Sequence, residues 1–289
     1  MSYQLCYIQA IVPTTKTESI AVDFIEDVDG LLKAQSVLKR CIIAKDLIRY
    51  VEDAYQDYID YSKTVTEPSR EADIKLERLA RSYFLEFSVF HEHWKSYIRA
   101  NGKWKQFKAV FEQQTHDAFD SNDNYALASM LRNYIAHSAD LTQGRFWGAG
   151  HYDIGCSKEV LLKDPIFNET KKAIIKRQSA QFISLTPIMR GALDKLQEIH
   201  KAFLTFDFGE TELLAAAVVG KAIEAVREHG MDNRHLQIVN TVQSYITTYT
   251  PDNKPIETVP VTETFEFDIP LYEEAIEIIK ACAQNRFDT

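Results

Sequence analysis

The sequence predicts a mainly α-helical protein with minor β elements toward its two ends. Three observations carry this. Glycine (10) and proline (8) are scarce for 289 residues, so few backbone breakers interrupt the chain. Apolar side chains recur at three- and four-residue spacing over long stretches, the period of a helix face turned to a core. A hydrophobic fraction of 45% with 26% charged residues is that of a globular protein with a real interior.

Residues 3–12 are β-prone, and Pro13 stops them. A helix is expected to begin near Thr17. Leu31, Leu38, Ile42, Leu47, Ile48, Val51, Tyr55 and Ile59 predict a helix over 31–63, and Pro68 marks the break after it. A second helix over 70–100 carries Leu76, Tyr83, Phe87, Phe90 and Trp94 on its apolar side and ends at Asn101-Gly102. A third, over 103–119, carries Trp104, Phe107 and Phe111. The cluster Asp120-Ser-Asn-Asp123 offers N-caps for a helix over 124–138.

Beyond Ser138, Gly144, Gly148, Gly150 and Gly155 predict an irregular loop over 145–163 with a short hairpin near 151–162. A long helix over 168–205 is expected to kink or break at Pro187. Helices follow at 210–229 and 232–249, then a β-prone Pro/Thr-rich segment at 255–267 and a helix after Pro270. The β-prone ends, 3–12 and 258–267, are candidates to pair with each other. This organisation suggests a helical domain over 1–206, its core at about 68–205 with helix 31–63 packed on it. A helical or α+β extension over 207–289 would follow.

A net charge of −9 argues against a nucleic-acid coat or a membrane-surface protein, but leaves room for one local basic patch. Cys6, Cys41, Cys156 and Cys282 are widely separated and read as free thiols. The first residues do not resemble a secretion leader, and no stretch is long and apolar enough to span a membrane, so the cytoplasm is the expected location. No phosphate loop, dinucleotide-binding glycine pattern or zinc framework appears, so neither cofactor nor metal is expected.

The chemistry concentrates in Asn124-Tyr-Ala-Leu-Ala-Ser-Met-Leu-Arg-Asn-Tyr-Ile-Ala-His-Ser138. Arg132 can hold a phosphate through two parallel hydrogen bonds. His137 can move a proton near neutral pH. Asn133 and His137 are four apart and share a helix face. Arg132 and His137 lie roughly 140° apart around a regular helix. Either the helix frays near His137, or the two groups serve a groove completed by another surface. Arg145 and His151 form a rival pair in the Gly-rich loop.

Arg132-Asn-Tyr-Ile-Ala-His137 resembles the R-N-x-x-x-H signature of the HEPN superfamily. The detailed match covers Asn124 to Ser138, and the helical context extends over about 68–205. The resemblance implies a HEPN-like helical bundle that pairs as a homodimer, so that two motifs face one cleft. It implies RNA as substrate, attack by the 2′-hydroxyl with His137 as base and Arg132 stabilising the phosphorane, and no metal. It further implies a toxin or anti-phage effector restrained by an antitoxin or other regulatory protein. The alternatives are a non-catalytic module of the same type that binds RNA, nucleotide or protein, and an unrelated helical scaffold.

Secondary signals surround the motif. Lys103, Lys105 and Lys108, with Lys95 and Arg99 nearby, form a basic cluster interleaved with Trp94, Tyr97 and Trp104. Lys171 and Lys172, followed by Lys176 and Arg177, form another. Both are candidate RNA contacts, although aromatic residues at helical spacing more often face a core. His91 and His93 flank a glutamate, but helix geometry turns them about 200° apart, which disfavours a shared metal. His116-Asp117 could orient a substrate, and Ser138 and Asp140 could hydrogen-bond His137.

Overall fold

The computed structural model describes the backbone of residues 2–11, 14–21, 27–137, 141–148, 150–228, 236–249 and 255–287, and the side chains of 27–135, 141–147, 150–228 and 266–284. The described residues are mainly helical. They form two compact units, one of Met1–Ile42 with Phe208–Thr289, the other of Ile43–Asp207.

The first unit opens with β1 (Ser2–Ile11) and β2 (Thr14–Ala21), followed by α1 (Val28–Asp46), whose last turn belongs to the second unit. The expected helix near Thr17 is therefore a strand. Thr14, Thr15, Thr17 and Ile20 are β-branched and restricted at χ1, which favours a pleated strand. The unit resumes after the second one with α9 (Glu210–Glu228), β6 (Leu236–Tyr249), β7 (Pro255–Phe267) and α10 (Ile269–Phe287). The expected helix over 232–249 is likewise overturned from Leu236 on, while 232–235 lie outside the described residues. Ile238, Val239, Thr241, Val242, Ile246, Thr247 and Thr248 make half of the positions of β6 β-branched. The four strands form an antiparallel sheet in the order β2-β1-β6-β7. The two β-prone ends thus share a sheet but are not neighbours, because β6 stands between them. Helices α9 and α10 pack together, with Gly220 facing Ile276 and Arg227 paired to Glu273 at 2.7 Å.

The second unit comprises α2 (Arg49–Thr64), α3 (Arg70–Ala100), α4 (Trp104–Ser121), α5 (Asp123–His137), β3 (Gly144–Gly148), β4 (His151–Ser157), α6 (Lys158–Lys163), α7 (Glu169–Arg177), β5 (Phe182–Ser184) and α8 (Leu185–Asp207). The expected helix over 31–63 is split, because Leu47 and Ile48 are both buried at a turn between α1 and α2. The expected helix over 168–205 is also split, and Pro187 falls in the first turn of α8, where its missing N–H interrupts no bond.

Long α3 is capped by Ser69, whose side chain accepts from the Ala72 N–H at 3.1 Å. Asn122 does the same for α5, accepting from the Tyr125 N–H at 2.9 Å. The interior is aromatic. Phe203 of α8 meets Trp94, Phe107 and Phe111 with ring centroids 4.8–5.4 Å apart, and burying each such ring contributes about 1.5–3 kcal/mol. Helix α5 packs against α3, α4, α7 and α8. Its Ala126 and Ala128 are fully buried, small residues that let neighbouring helices approach closely.

The strands β3, β4 and β5 form a small antiparallel sheet. Gly150 turns the β3–β4 hairpin at φ +79, a conformation other residues adopt poorly. Gly155 admits β5, because a Cβ there would stand 2.3 Å from the Ile183 carbonyl oxygen.

Candidate functional site

Helix α5 is enclosed on nearly every side, and beyond its first residue, Asp123, Arg132 alone among its described residues is exposed. Helices α3, α4, α7 and α8 hold α5 in place, while the guanidinium reaches into a concavity of about 260 Å3. From α3 this bowl takes Phe87, His91, Glu92 and Lys95. From α4 it takes Phe111, Thr115, His116 and Phe119, and from α5 Tyr125, Ser129 and Arg132. Its rim carries cations and its floor is aromatic.

The floor is neutral by construction. His91 Nδ1 lies 3.1 Å from the Phe87 carbonyl oxygen, which can only accept, so Nδ1 bears the proton. Nε2 then accepts from the Tyr125 hydroxyl at 2.8 Å. Burial pushes the His91 pKa down to about 4; the Phe87 carbonyl opposes this, and the charges of Lys95 and Arg132 add to it. Burial also raises the Tyr125 phenol well above its ordinary value. Neither group changes charge near neutral pH.

On the rim, Lys95 pairs with Glu92 at 2.8 Å and stands 5.1 Å from the Phe111 ring centroid. The Lys95 hydrogen bond holds the Glu92 carboxyl below its ordinary pKa despite some desolvation, so this pair contributes no net charge. Among the described residues no carboxylate lies within ion-pair distance of Arg132. The rim therefore offers one unneutralised guanidinium beside an exposed imidazole, His116. Asp117 faces elsewhere and accepts from Gln113 at 2.7 Å.

Asn133, next to Arg132, is half-buried. His137 ends α5, and its side chain lies outside the described residues, as do Ser138 and Asp140. The end of α5 is held by Arg81 of α3, whose Nη1 donates to the Ile135 carbonyl oxygen at 3.0 Å. This bond fixes the turn that leads into His137.

The predicted RNA-binding lysines lie outside the bowl. Lys103 donates to the buried Asp207 carboxylate at 2.8 Å and to its carbonyl oxygen at 2.7 Å. Lys108 pairs with Glu112 at 3.5 Å, and Lys172 with Glu169 at 3.9 Å. Lys105 is exposed on α4, and Lys171 half-buried on α7. Further along α7, Lys176 also reaches Glu169, at 3.7 Å, and Arg177 pairs with Asp123. Trp94 is buried and donates to His200 at 3.2 Å, Tyr97 donates to Asp207 at 2.8 Å, and Arg99 lies over Trp104 at 4.6 Å. His91 turns inward while His93 is exposed beside Tyr50.

The rival arginine has a different fate. Arg145 donates to the buried Asp73 carboxylate through Nε at 2.9 Å and Nη2 at 2.5 Å. Tyr152 donates to the other Asp73 oxygen at 2.6 Å. Burial alone would raise the Asp73 pKa, but the bonds from Arg145 and Tyr152 outweigh it and hold the carboxyl below its ordinary value. Nearby, buried Asp153 accepts from Tyr58 at 2.5 Å, from the Thr186 N–H at 3.1 Å and from Ser184. It thereby links α2, β5 and the start of α8.

Sequence reasoning singled out Arg132, Lys95 and His116 but not Tyr125 or Ser129. Tyr125 and Ser129 stand seven and three residues before Arg132, near its helical face, a spacing that could have found them. Comparison with protein-family models, curated proteins and solved structures found no match to this chain.

Proposed function

We propose that this protein is a metal-independent endoribonuclease of the HEPN type, with Arg132, Asn133 and His137 at its reaction centre. The observation that carries the reading is the exposure of Arg132. Beyond Asp123 at the helix start it is the one exposed described residue of an otherwise enclosed helix, it faces a concave surface, and no described carboxylate answers it. An unneutralised guanidinium held by a rigid helix suits the charge that develops on a pentacoordinate phosphate.

In this mechanism His137 takes the proton of the 2′-hydroxyl. The 2′-oxygen forms a new bond to phosphorus, and the bond from phosphorus to the 5′-oxygen breaks. Arg132 stabilises the negative charge of the phosphorane, and Asn133, one helical turn from His137, orients the imidazole. A second proton donor completes the leaving alcohol. His137 of the partner subunit supplies it in a homodimer. Such an enzyme would act as a toxin or defence effector under the restraint of a second protein.

The test is incubation of purified protein with RNA in EDTA. The expected products carry 2′,3′-cyclic phosphate and 5′-hydroxyl ends, and DNA of the same sequence remains intact. Cleavage that persists in Arg132→Ala and in His137→Ala would exclude this assignment. The aromatic floor of the bowl favours a second reading, a binding module for a nucleotide, in which RNA binds with an Arg132-dependent affinity but is not cut.

A further inference from the structure

We propose that the groove between the end of α2 and the start of α3 binds the sugar-phosphate backbone of RNA and leads it to the last turn of α5. The inference rests on RNA being the ligand, not on its cleavage. The groove encloses about 680 Å3 and is lined by Tyr61, Arg70, Glu71, Ile74, Lys75 and Arg78. Three cations face one carboxylate in a chain whose net charge is −9.

The state of these cations distinguishes them. Arg70, Lys75 and Arg78 are exposed, and among the described residues none has a carboxylate within 4.0 Å. Lys103, Lys108 and Lys172, by contrast, are neutralised locally. Lys75 stands 6.0 Å from the Tyr61 ring centroid, a contact that places the ammonium without using its hydrogen-bond donors. The run from Arg70 to Arg78 spans about 12 Å of helix, enough for roughly three stacked nucleotides.

The direction of the track follows from α3. Arg81 lies one turn beyond Arg78 and holds the Ile135 carbonyl oxygen at 3.0 Å, two residues before His137. At 100° per residue, Arg78 lies about 60° to one side of Arg81 and Lys95 of the bowl about 40° to the other. Groove, α5 terminus and bowl therefore follow one another obliquely along a single rigid helix. Ile74, 43% exposed, is the groove's one exposed large aliphatic side chain. That is too little apolar surface for the core of a protein–protein interface, and it favours a polyanion over an acidic protein.

The test measures binding of the full chain to a labelled, uncleavable 2′-O-methyl single-stranded RNA across a salt series. The variant combines Arg70→Gln, Lys75→Gln and Arg78→Gln. The control combines Lys163→Gln, Lys221→Gln and Lys280→Gln, the same change of charge elsewhere. The groove variant is expected to raise Kd at least about tenfold and to flatten the log–log salt slope by about 2, at roughly 0.7 per lost phosphate contact. The control should stay within about twofold of the parent, and both variants should keep its thermal midpoint. Equal weakening by both variants, an unchanged groove variant, loss of polyglutamate binding in place of RNA binding, or no RNA binding by the parent chain each overturns the inference. Groove-dependent binding without cleavage of ordinary RNA leaves it standing and removes the nuclease assignment instead.

Discussion

Arg132 and Arg145 stand at either end of one short stretch of chain, each followed by a histidine, and the fold treats them oppositely. Arg145 is answered by a buried carboxylate, so it joins α3 to the β3–β4 hairpin. Arg132 faces a hollow with a neutral histidine beneath it and no described carboxylate in reach. The residue types are the same, and only the state of the charge separates structure from candidate function. A satisfied arginine stabilises the fold, whereas an unsatisfied one on a rigid helix is available to a ligand.

The sharpest way to break this comparison is to remove the acids on the structural side. Asp153→Ala leaves the Tyr58 and Ser184 hydroxyls and the Thr186 N–H without their shared acceptor. At about 1–3 kcal/mol per unsatisfied buried group, denaturant unfolding should show a loss of roughly 3–5 kcal/mol. Gly155→Ala should also destabilise, by about 1–3 kcal/mol, because the Ile183 backbone must give way to the new Cβ. On the functional side, Arg132→Ala is expected to reduce RNA cleavage about 100- to 1000-fold, the range for losing one transition-state donor. Its stability should change by less than about 0.5 kcal/mol, as for other exposed positions.

Acid sharpens the contrast further. His91 and His200 both have pKa values pushed down to about 4 by burial, against 6.5 in an unfolded chain. Between pH 6.5 and 4 the unfolded state binds protons that the folded state refuses, so stability falls as pH falls through that window. Each histidine contributes up to about 3 kcal/mol to the drop. The Asp73 carboxyl acts in the same direction at lower pH, since its stabilisation is present above the unfolded value and is lost as pH falls through the depressed folded one. Urea midpoints measured from pH 7 to pH 4 should fall in the parent chain and fall less in His200→Gln. A parallel fall in both would contradict the assignment.

Much of the helical unit was legible in sequence because its signals are local. Leu76, Phe87, Phe90 and Trp94 set the buried face of α3, and Asn122 caps α5 from within the expected cluster. The misreadings have physical causes. Over 236–249, apolar spacing compatible with a helix competed with β-branching, and the strand prevailed. Leu47 and Ile48 carry no breaker, and only their joint burial reveals the turn. In the candidate site, Arg132 was legible and its surroundings were not. Nothing in a one-dimensional string tells that Arg145 meets Asp73, 72 residues away, or that Lys103 meets Asp207, 104 residues away. Arg70, Lys75 and Arg78 gave no signal because glutamates are interspersed with them and no charge run appears.

The most direct test sets Arg132→Ala beside Arg145→Ala, with cleavage of RNA in EDTA and the thermal midpoint measured on the same preparations. Arg132→Ala should lose cleavage and keep its midpoint, while Arg145→Ala, assayed below its lowered midpoint, should keep cleavage. The reverse pattern, or two variants that behave alike, would contradict the division between an available arginine and a structural one.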